Sequence, residues 1–166
     1  MTIRNESFND LNAIDNIHKT SFPTDKEMRL IRKLRDNGNL TISLIAEING
    51  EIAGHVAFSP VSLTTSVRGL GLGPVAVLPA FRRQGISNQL IRKGILISQR
   101  LNHDFIVVLG DPRYYQRFGF RPAQDWKLQD EYHGGEAFQA IELKPKRLPS
   151  TGGLVQYGRE FAEIFG

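Results

Sequence analysis

Apolar and polar positions change their spacing several times along this chain, and each change marks an element. Thr2 to Glu6 reads as a short strand, and Asn9-Asp10 as a helix start. Leu11, Ile14, Ile17 and Phe22 then repeat at helical spacing up to Pro23. Thr24 and Glu27 have the spacing of a capping box, ahead of a second stripe, Met28, Ile31 and Leu34, closed by Asn37-Gly38-Asn39. Leu40 to Ile48 and Glu51 to Pro60 read as a hairpin about Asn49-Gly50. Val67 to Leu78 is a further strand, with a bulge expected at Gly71-x-Gly73-Pro74, because proline cannot donate to the ladder. Leu90, Ile91, Gly94, Ile95, Ile97, Ser98 and Leu101 stripe one long helix, and Asp104 to Leu109 is an apolar strand parallel to its neighbour, since a helix makes the crossover. Phe120 to Leu128 and Ala137 to Leu143 complete the expected strands, on either side of a polar loop, Gln129 to Gly135. Lys144 to Gly153 is a connector rich in proline and glycine, and Val155 to Phe165 a short amphipathic tail.

One junction carries chemistry. The apolar run Val75-Ala76-Val77-Leu78 meets the basic glycine turn Arg82-Arg83-Gln84-Gly85-Ile86-Ser87, which opens the long helix. Strand, glycine turn and helix together suit phosphate: the first helical N–H groups lack intrahelical partners and carry the positive end of the dipole. Gly85 permits close backbone approach, and Arg82 and Arg83 add charge beside those amides. The spacing is neither that of a nucleotide P-loop nor the dinucleotide fingerprint, and Gly69-Leu70-Gly71-Leu72-Gly73 precedes the strand run instead of opening a helix. The turn resembles the acetyl-CoA signature R/Q-x-x-G-x-G/A of the GNAT superfamily of N-acetyltransferases, with Arg82, Gly85 and Ser87 in its fixed places. Ser87 departs from the usual glycine or alanine.

A second stretch, Val107 to Phe120, strengthens the likeness. Its strand runs into Asp111, suited to an N-cap, then Pro112 at the first helical position, with Gly119 as the stop. Tyr114, Tyr115, Arg117, Gly119 and Phe120 resemble the family's [FY]-Y-x-[KR]-x-G-F element. Val108 falls where many relatives carry asparagine, so a coenzyme contact from that side chain is missing.

The resemblance implies a mixed α/β (α+β) fold, a sheet of about seven strands splayed at a central bulge with helices on both faces. Residues 1–148 would form the acetyltransferase domain, and 149–166 a tail packing on it or on a partner. It further implies acetyl-CoA as acetyl donor, with no metal. The pantetheine arm would pair with Val75, Ala76 and Val77, and the pyrophosphate would sit on the amides of Gln84, Gly85, Ile86 and Ser87 beside Arg82 and Arg83. Val77 N–H would donate to the developing oxyanion, and Tyr115 would protonate the departing thiolate. Phe22, Asp25 and Glu27, on the acceptor side, are candidates for touching substrate, as is His55. The bulged strand has no carboxylate where some relatives carry a general base, which leaves Glu47, His55 or a water chain.

Size and charge narrow the alternatives. A chain of 166 residues, 40% hydrophobic and 23% charged, suits one domain with its own core. It has no cysteine, which removes disulfides and any acyl-enzyme on sulfur and leaves the cytoplasm as the expected compartment. No apolar run reaches about 18 residues, so no membrane span is expected. Twenty-one basic against seventeen acidic residues give +4, a scattered surplus suited to an anionic ligand and too small to suggest nucleic acid. The activity the resemblance implies is acetyl transfer to the amine of a small or amino-acid-like acceptor. A protein lysine or N-terminus is an alternative acceptor, and a non-catalytic acyl-CoA sensor or interaction module an alternative class. A homodimer is among the expected states.

Overall fold

The computed structural model describes residues 1–64 and 66–166. Its contacts group into two compact units: Met1–Ser59, Gly73–Ile97 and Arg159–Gly166 in the first, Pro60–Leu72 and Ser98–Gly158 in the second. Each is described by itself.

In the first unit, β1 (Thr2–Asn5) pairs antiparallel with β2 (Ile42–Ile48), which pairs antiparallel with β3 (Glu51–Ser62). Asn49 and Gly50 close the hairpin with φ of 49° and 82°, left-handed values that Asn-Gly accepts readily. α1 (Leu11–Ser21) and α2 (Lys26–Asp36) follow their apolar stripes, burying Ile14 and Ile17 from one helix and Met28, Leu30, Ile31 and Leu34 from the other. Ile14 and Ile31 pack with Ile45 and Ala57 of the strands. The N-cap of α2 is Asp25, which makes no side-chain cap bond, and Thr24 Oγ1 accepts only from Lys26 N–H at 3.3 Å, so the capping box expected from Thr24 and Glu27 does not form.

The end of β4 (Gly69–Val77) runs beside β3, where Leu78 N–H donates to Ala53 O at 2.8 Å. α3 (Ile86–Arg100) then lies on β3 at very close range. A Cβ on Gly54 would come within 3.2 Å of Ile86 and Leu90, and one on Gly94 within 2.2 Å of the Phe58 ring. Glycine at these two places sets how near helix and strand come. α5 (Arg159–Phe165) binds α2 through Lys33–Glu163, while Glu160, wholly buried, accepts from Asn37 and Asn39 at 2.9 and 2.6 Å.

In the second unit, the start of β4 pairs in parallel with β5 (Phe105–Leu109), Gly69–Leu72 against Phe105–Val108. The pairing ends where Gly73 takes φ of 134°, at the place expected to bulge. β5 pairs antiparallel with β8 (Phe138–Glu142), and β8 with β6 (Arg121–Pro122).

Two sequence expectations are corrected here. Phe120 to Leu128 is not one strand, since β6 gives way to a 3-10 turn over Ala123–Trp126 and β7 (Leu128–Asp130) begins only after Lys127 at φ 58°. The stretch expected as connector and amphipathic tail contains a strand, β9 (Gly153–Tyr157), parallel to β7 and antiparallel to the end of β3. The described residues therefore hold nine strands, two more than expected, within the mixed α/β class the sequence implied. Phe105, Val107, Phe138, Ala140, Leu128 and Val155 form this unit's core. No helix among the described residues is long and apolar enough to cross a membrane.

Candidate active site

The glycine turn lies wholly within the first unit. β4 delivers Val75, Ala76 and Val77, the last two buried, and a 3-10 turn over Pro79–Phe81 swings the chain outward. Arg82 folds back, its Nε donating to Val77 O at 3.0 Å, so one guanidinium ties the strand end to the turn. Arg83 and Gly85 both take left-handed φ, 63° and 75°. Such alternation bends successive N–H groups toward one side, the geometry of an anion nest. Arg82, Arg83, Gln84 and Gly85 are exposed, whereas Ile86 is buried against Gly54 and anchors the helix start. A Cβ built on Gly85 would meet nothing within 4 Å, so the space in front of this glycine is open.

Tyr115 lies in the second unit, on α4 (Pro112–Tyr115). The Asp111 carboxylate caps α4 by accepting from Arg113 N–H at 2.9 Å, and Gly119 ends the following 3-10 turn at φ 97°. The ring packs edge-on to Tyr114 and Phe120 and against Phe118. A Cβ on Gly110 would lie 2.4 Å from its Cε2, so that glycine makes room for it. Burial, with a smaller effect of Tyr114, pushes the Tyr115 phenol up to about 12. It is a neutral hydroxyl at any working pH, able to give a proton and not to take one.

On the α1–α2 side, Phe22 is half-buried and stacks on His18, centroids 5.9 Å apart and planes within 8°. Glu27 is also half-buried, in the first turn of α2. Glu47 is held by Arg4 at 3.0 Å. His55 is fully buried and so offers no surface to an acceptor.

What His55 does join is a polar chain that local sequence patterns did not reveal. His18 Nε2 lies 2.8 Å from His55 Nδ1, and His55 Nε2 lies 2.8 Å from Ser43 Oγ. Ser43 Oγ donates a short bond to Glu6 Oε1, and Arg35 grips Glu6 with two bonds of 2.8 and 2.9 Å. Burial lowers His18 to about 4, opposed by Asp15 and aided to a lesser degree by Arg35. His55 is held well below its ordinary value, by burial first and then by His18 and Arg35. Only His55 carried a sequence signal, a histidine inside an apolar strand; the others are scattered over positions 6, 18, 35 and 43.

A family model described as "Acetyltransferase (GNAT) domain" matches residues 39–122. The uncharacterized N-acetyltransferase YhbS of Escherichia coli is 37% identical over 164 residues, 97% of this chain and 98% of the relative. A second E. coli protein, the uncharacterized N-acetyltransferase YjhQ, is 28% identical over 89% of this chain and 91% of its own. The crystal structure of YhbS in complex with CoA superposes with a TM-score of 0.93 at 36% identity, covering 99% of this chain and 93% of that one. A GNAT family acetyltransferase from Brucella melitensis, in complex with acetyl-CoA, gives 0.80 at 34% identity over 96% and 97%.

Proposed function

Because the chain belongs to the GNAT family of acetyltransferases, we propose that it moves an acetyl group from acetyl-CoA to the primary amine of a small or amino-acid-like acceptor, by direct attack in a ternary complex. The observation that carries this reading is the open, left-handed turn at Arg83–Gly85 opening α3, in a chain whose relatives hold CoA and acetyl-CoA. The residues fit the ligand: exposed arginines and helix-start amides suit a diphosphate, and the unfilled space before Gly85 suits its close approach.

Val75, Ala76 and Val77 offer strand-edge groups to the pantetheine amides, with Arg82, Arg83, Gln84, Gly85, Ile86 and Ser87 around the phosphates. Acetyl-CoA supplies an activated thioester. The amine nitrogen forms the new C–N bond and gives up a proton to water, the C–S bond breaks with its electron pair on sulfur, and Tyr115 gives that sulfur a proton and regains one from water. Val77 N–H steadies the carbonyl oxygen while charge gathers there. Phe22 and Glu27 are the acceptor-side contacts. We take residues 1–148 as the catalytic domain and 149–166 as a C-terminal segment packed on it, the packing supported by the bonds from α5 to α2. The cytoplasm is the compartment this reading implies.

Thiol release from acetyl-CoA, followed across a panel of amines, amino acids and peptides, tests the whole of it. Turnover with a small amine supports the reading, and turnover with peptides alone moves the acceptor to protein. Coenzyme binding without turnover on any acceptor would make the protein a sensor. A size measurement on the same sample distinguishes monomer from homodimer.

A further inference from the structure

We propose that a cavity in the second unit binds an organic cation with an apolar body, and that the acceptor belongs to this class; the second statement rests on the acetyl-transfer reading above. The cavity measures about 790 Å³ and is lined from the 3-10 turn after β6, from β7, from the loop that follows it and from the start of β8. That volume suits a small organic molecule. Ala123, Leu128 and Phe138, all buried, and the exposed Leu154 of β9 give it an apolar lining. Its acidic groups are Asp130, Glu131 and Glu136, with His133 beside them. Among the described residues no lysine or arginine lines it, although the chain carries 21 of them against 17 acidic residues. An apolar hollow whose fixed charges are all carboxylates complements a cation on a hydrocarbon chain.

The hollow is held in shape by its own bonds. Asp130 is buried, its Oδ1 accepting from Gly134 N–H at 2.8 Å and its Oδ2 from Tyr132 N–H at 3.1 Å, which closes the loop on itself. Gly134 lets that loop press on β5, since a Cβ there would lie 2.3 Å from Leu109 Cδ2. Glu131 Oε1 accepts from Tyr157 N–H at 2.7 Å and fastens the loop to the end of β9. Both carboxylates keep lone pairs to spare. Glu136 is exposed, with no ion-pair partner among the described residues. Burial pushes the Tyr132 and Tyr157 phenols up, and Asp130 and Glu131 push both further, so the negative field extends beyond the loop.

The same loop leads to the proposed proton donor. Ala137 O accepts from Gly110 N–H at 2.9 Å, and Gly110 is the glycine that makes room for the Tyr115 ring. Loop, Leu109-Gly110 and Tyr115 thus form one run of contacts within the second unit. The chemistry then narrows the acceptor. A carboxylate holds a neighbouring ammonium in its charged form, and a charged ammonium has no lone pair with which to attack a thioester. The nitrogen held in the cavity is therefore not the one acetylated. The acceptor carries two basic groups on an apolar chain, one anchored here and one free to react, as in a diamine or polyamine. A carboxylate at the anchored end would be repelled.

Two measurements test this. Titration calorimetry on the full chain with CoA present, using α,ω-diamines from putrescine to dodecamethylenediamine, reads the cavity alone. Affinity for the diamine that binds best should fall with added salt. Glu136→Lys should weaken it tenfold or more, Glu136→Gln less, and Glu136→Asp should keep most of it. Thiol release from acetyl-CoA then compares that diamine with the monoamine and the ω-amino acid of the same length. KM should rise in that order. Glu136→Lys should raise KM for the diamine tenfold or more, while kcat and the monoamine's KM stay within about twofold. Absence of diamine binding, or binding indifferent to Glu136→Lys, overturns the site. Equal KM for diamine and monoamine on an acetylating enzyme overturns the acceptor class. Glu136-dependent binding in a protein that acetylates no amine keeps the site and overturns the acetyl-transfer reading, so the two failures are told apart.

Discussion

Replacing Tyr115 by phenylalanine removes one hydroxyl and leaves the ring among Tyr114, Phe118 and Phe120. The phenol is pushed up to about 12, whereas a free thiol lies near 8.5. Against a thiolate in water, proton transfer from Tyr115 would therefore be uphill by roughly 3.5 units, or about 5 kcal/mol at 1.36 kcal/mol per unit. That gap closes only if the sulfur leaves into a site as dry as the one that raises the phenol, since desolvation raises both groups alike. The hydroxyl is then worth what a positioned general acid is worth, on the order of 10²–10⁴ in rate. Thiol release at saturating acceptor should show kcat of Tyr115→Phe down by about that factor, with acetyl-CoA affinity within about twofold and little change in Tm, because the ring packing survives. The wild-type rate should show no alkaline fall from this residue below about pH 10, as the folded phenol holds its proton there. A Tyr115→Phe enzyme turning over within about threefold of wild type would remove the residue from the chemistry and leave it a packing role.

Gly94→Ala sets helix propensity, a gain of about 1 kcal/mol, against a Cβ 2.2 Å from the Phe58 ring; overpacking at about 1–3 kcal/mol wins, so Tm should fall, and a rise would mean that α3 can lift off β3 freely. Gly85→Val should weaken acetyl-CoA binding tenfold or more by titration calorimetry and also lower Tm, because its Cβ projects into open space but φ of 75° strains a β-branched residue; undiminished affinity would take the phosphates away from this turn. Asp10 is held down at about 2, chiefly by the hydrogen bond from Arg4. A depressed carboxylate contributes stability above its unfolded value and loses it as pH falls through the folded one, so about 2 kcal/mol should disappear between about pH 4 and pH 2. Asp10→Asn should show a shallower acid limb in urea melts over that window, and an unchanged limb would put the stabilisation elsewhere.

Much of the frame was legible because its signals are local. The stripes of α1, α2 and α3, the Asn49-Gly50 hairpin, the Asp111 cap with Pro112, and the stop at Gly119 all lie within a few residues of what they control. β7 and β9 were not legible for the opposite reason. Each is short, three and five residues, and their parallel pairing joins Leu128 to Gly153 across a proline- and glycine-rich stretch that reads as a connector. A strand of that length shows too few alternations to stand out, and what makes it a strand is a partner far along the chain. Lys127 at φ 58° breaks the run that pattern alone would carry from Phe120 to Leu128.

The glycine turn and the buried polar chain differ in the same way. Binding a diphosphate asks mostly for backbone: N–H groups bent to one side, a glycine where a side chain would intrude, and positive charge nearby. Those requirements fall on consecutive residues, Arg82 to Ser87, and leave a readable signature. A buried chain of hydrogen bonds asks for side chains within reach of one another, whatever their order in the sequence. Those of Glu6, His18, Arg35, Ser43 and His55 come from the residue after β1, from α1, α2, β2 and β3, and only the fold brings them into line.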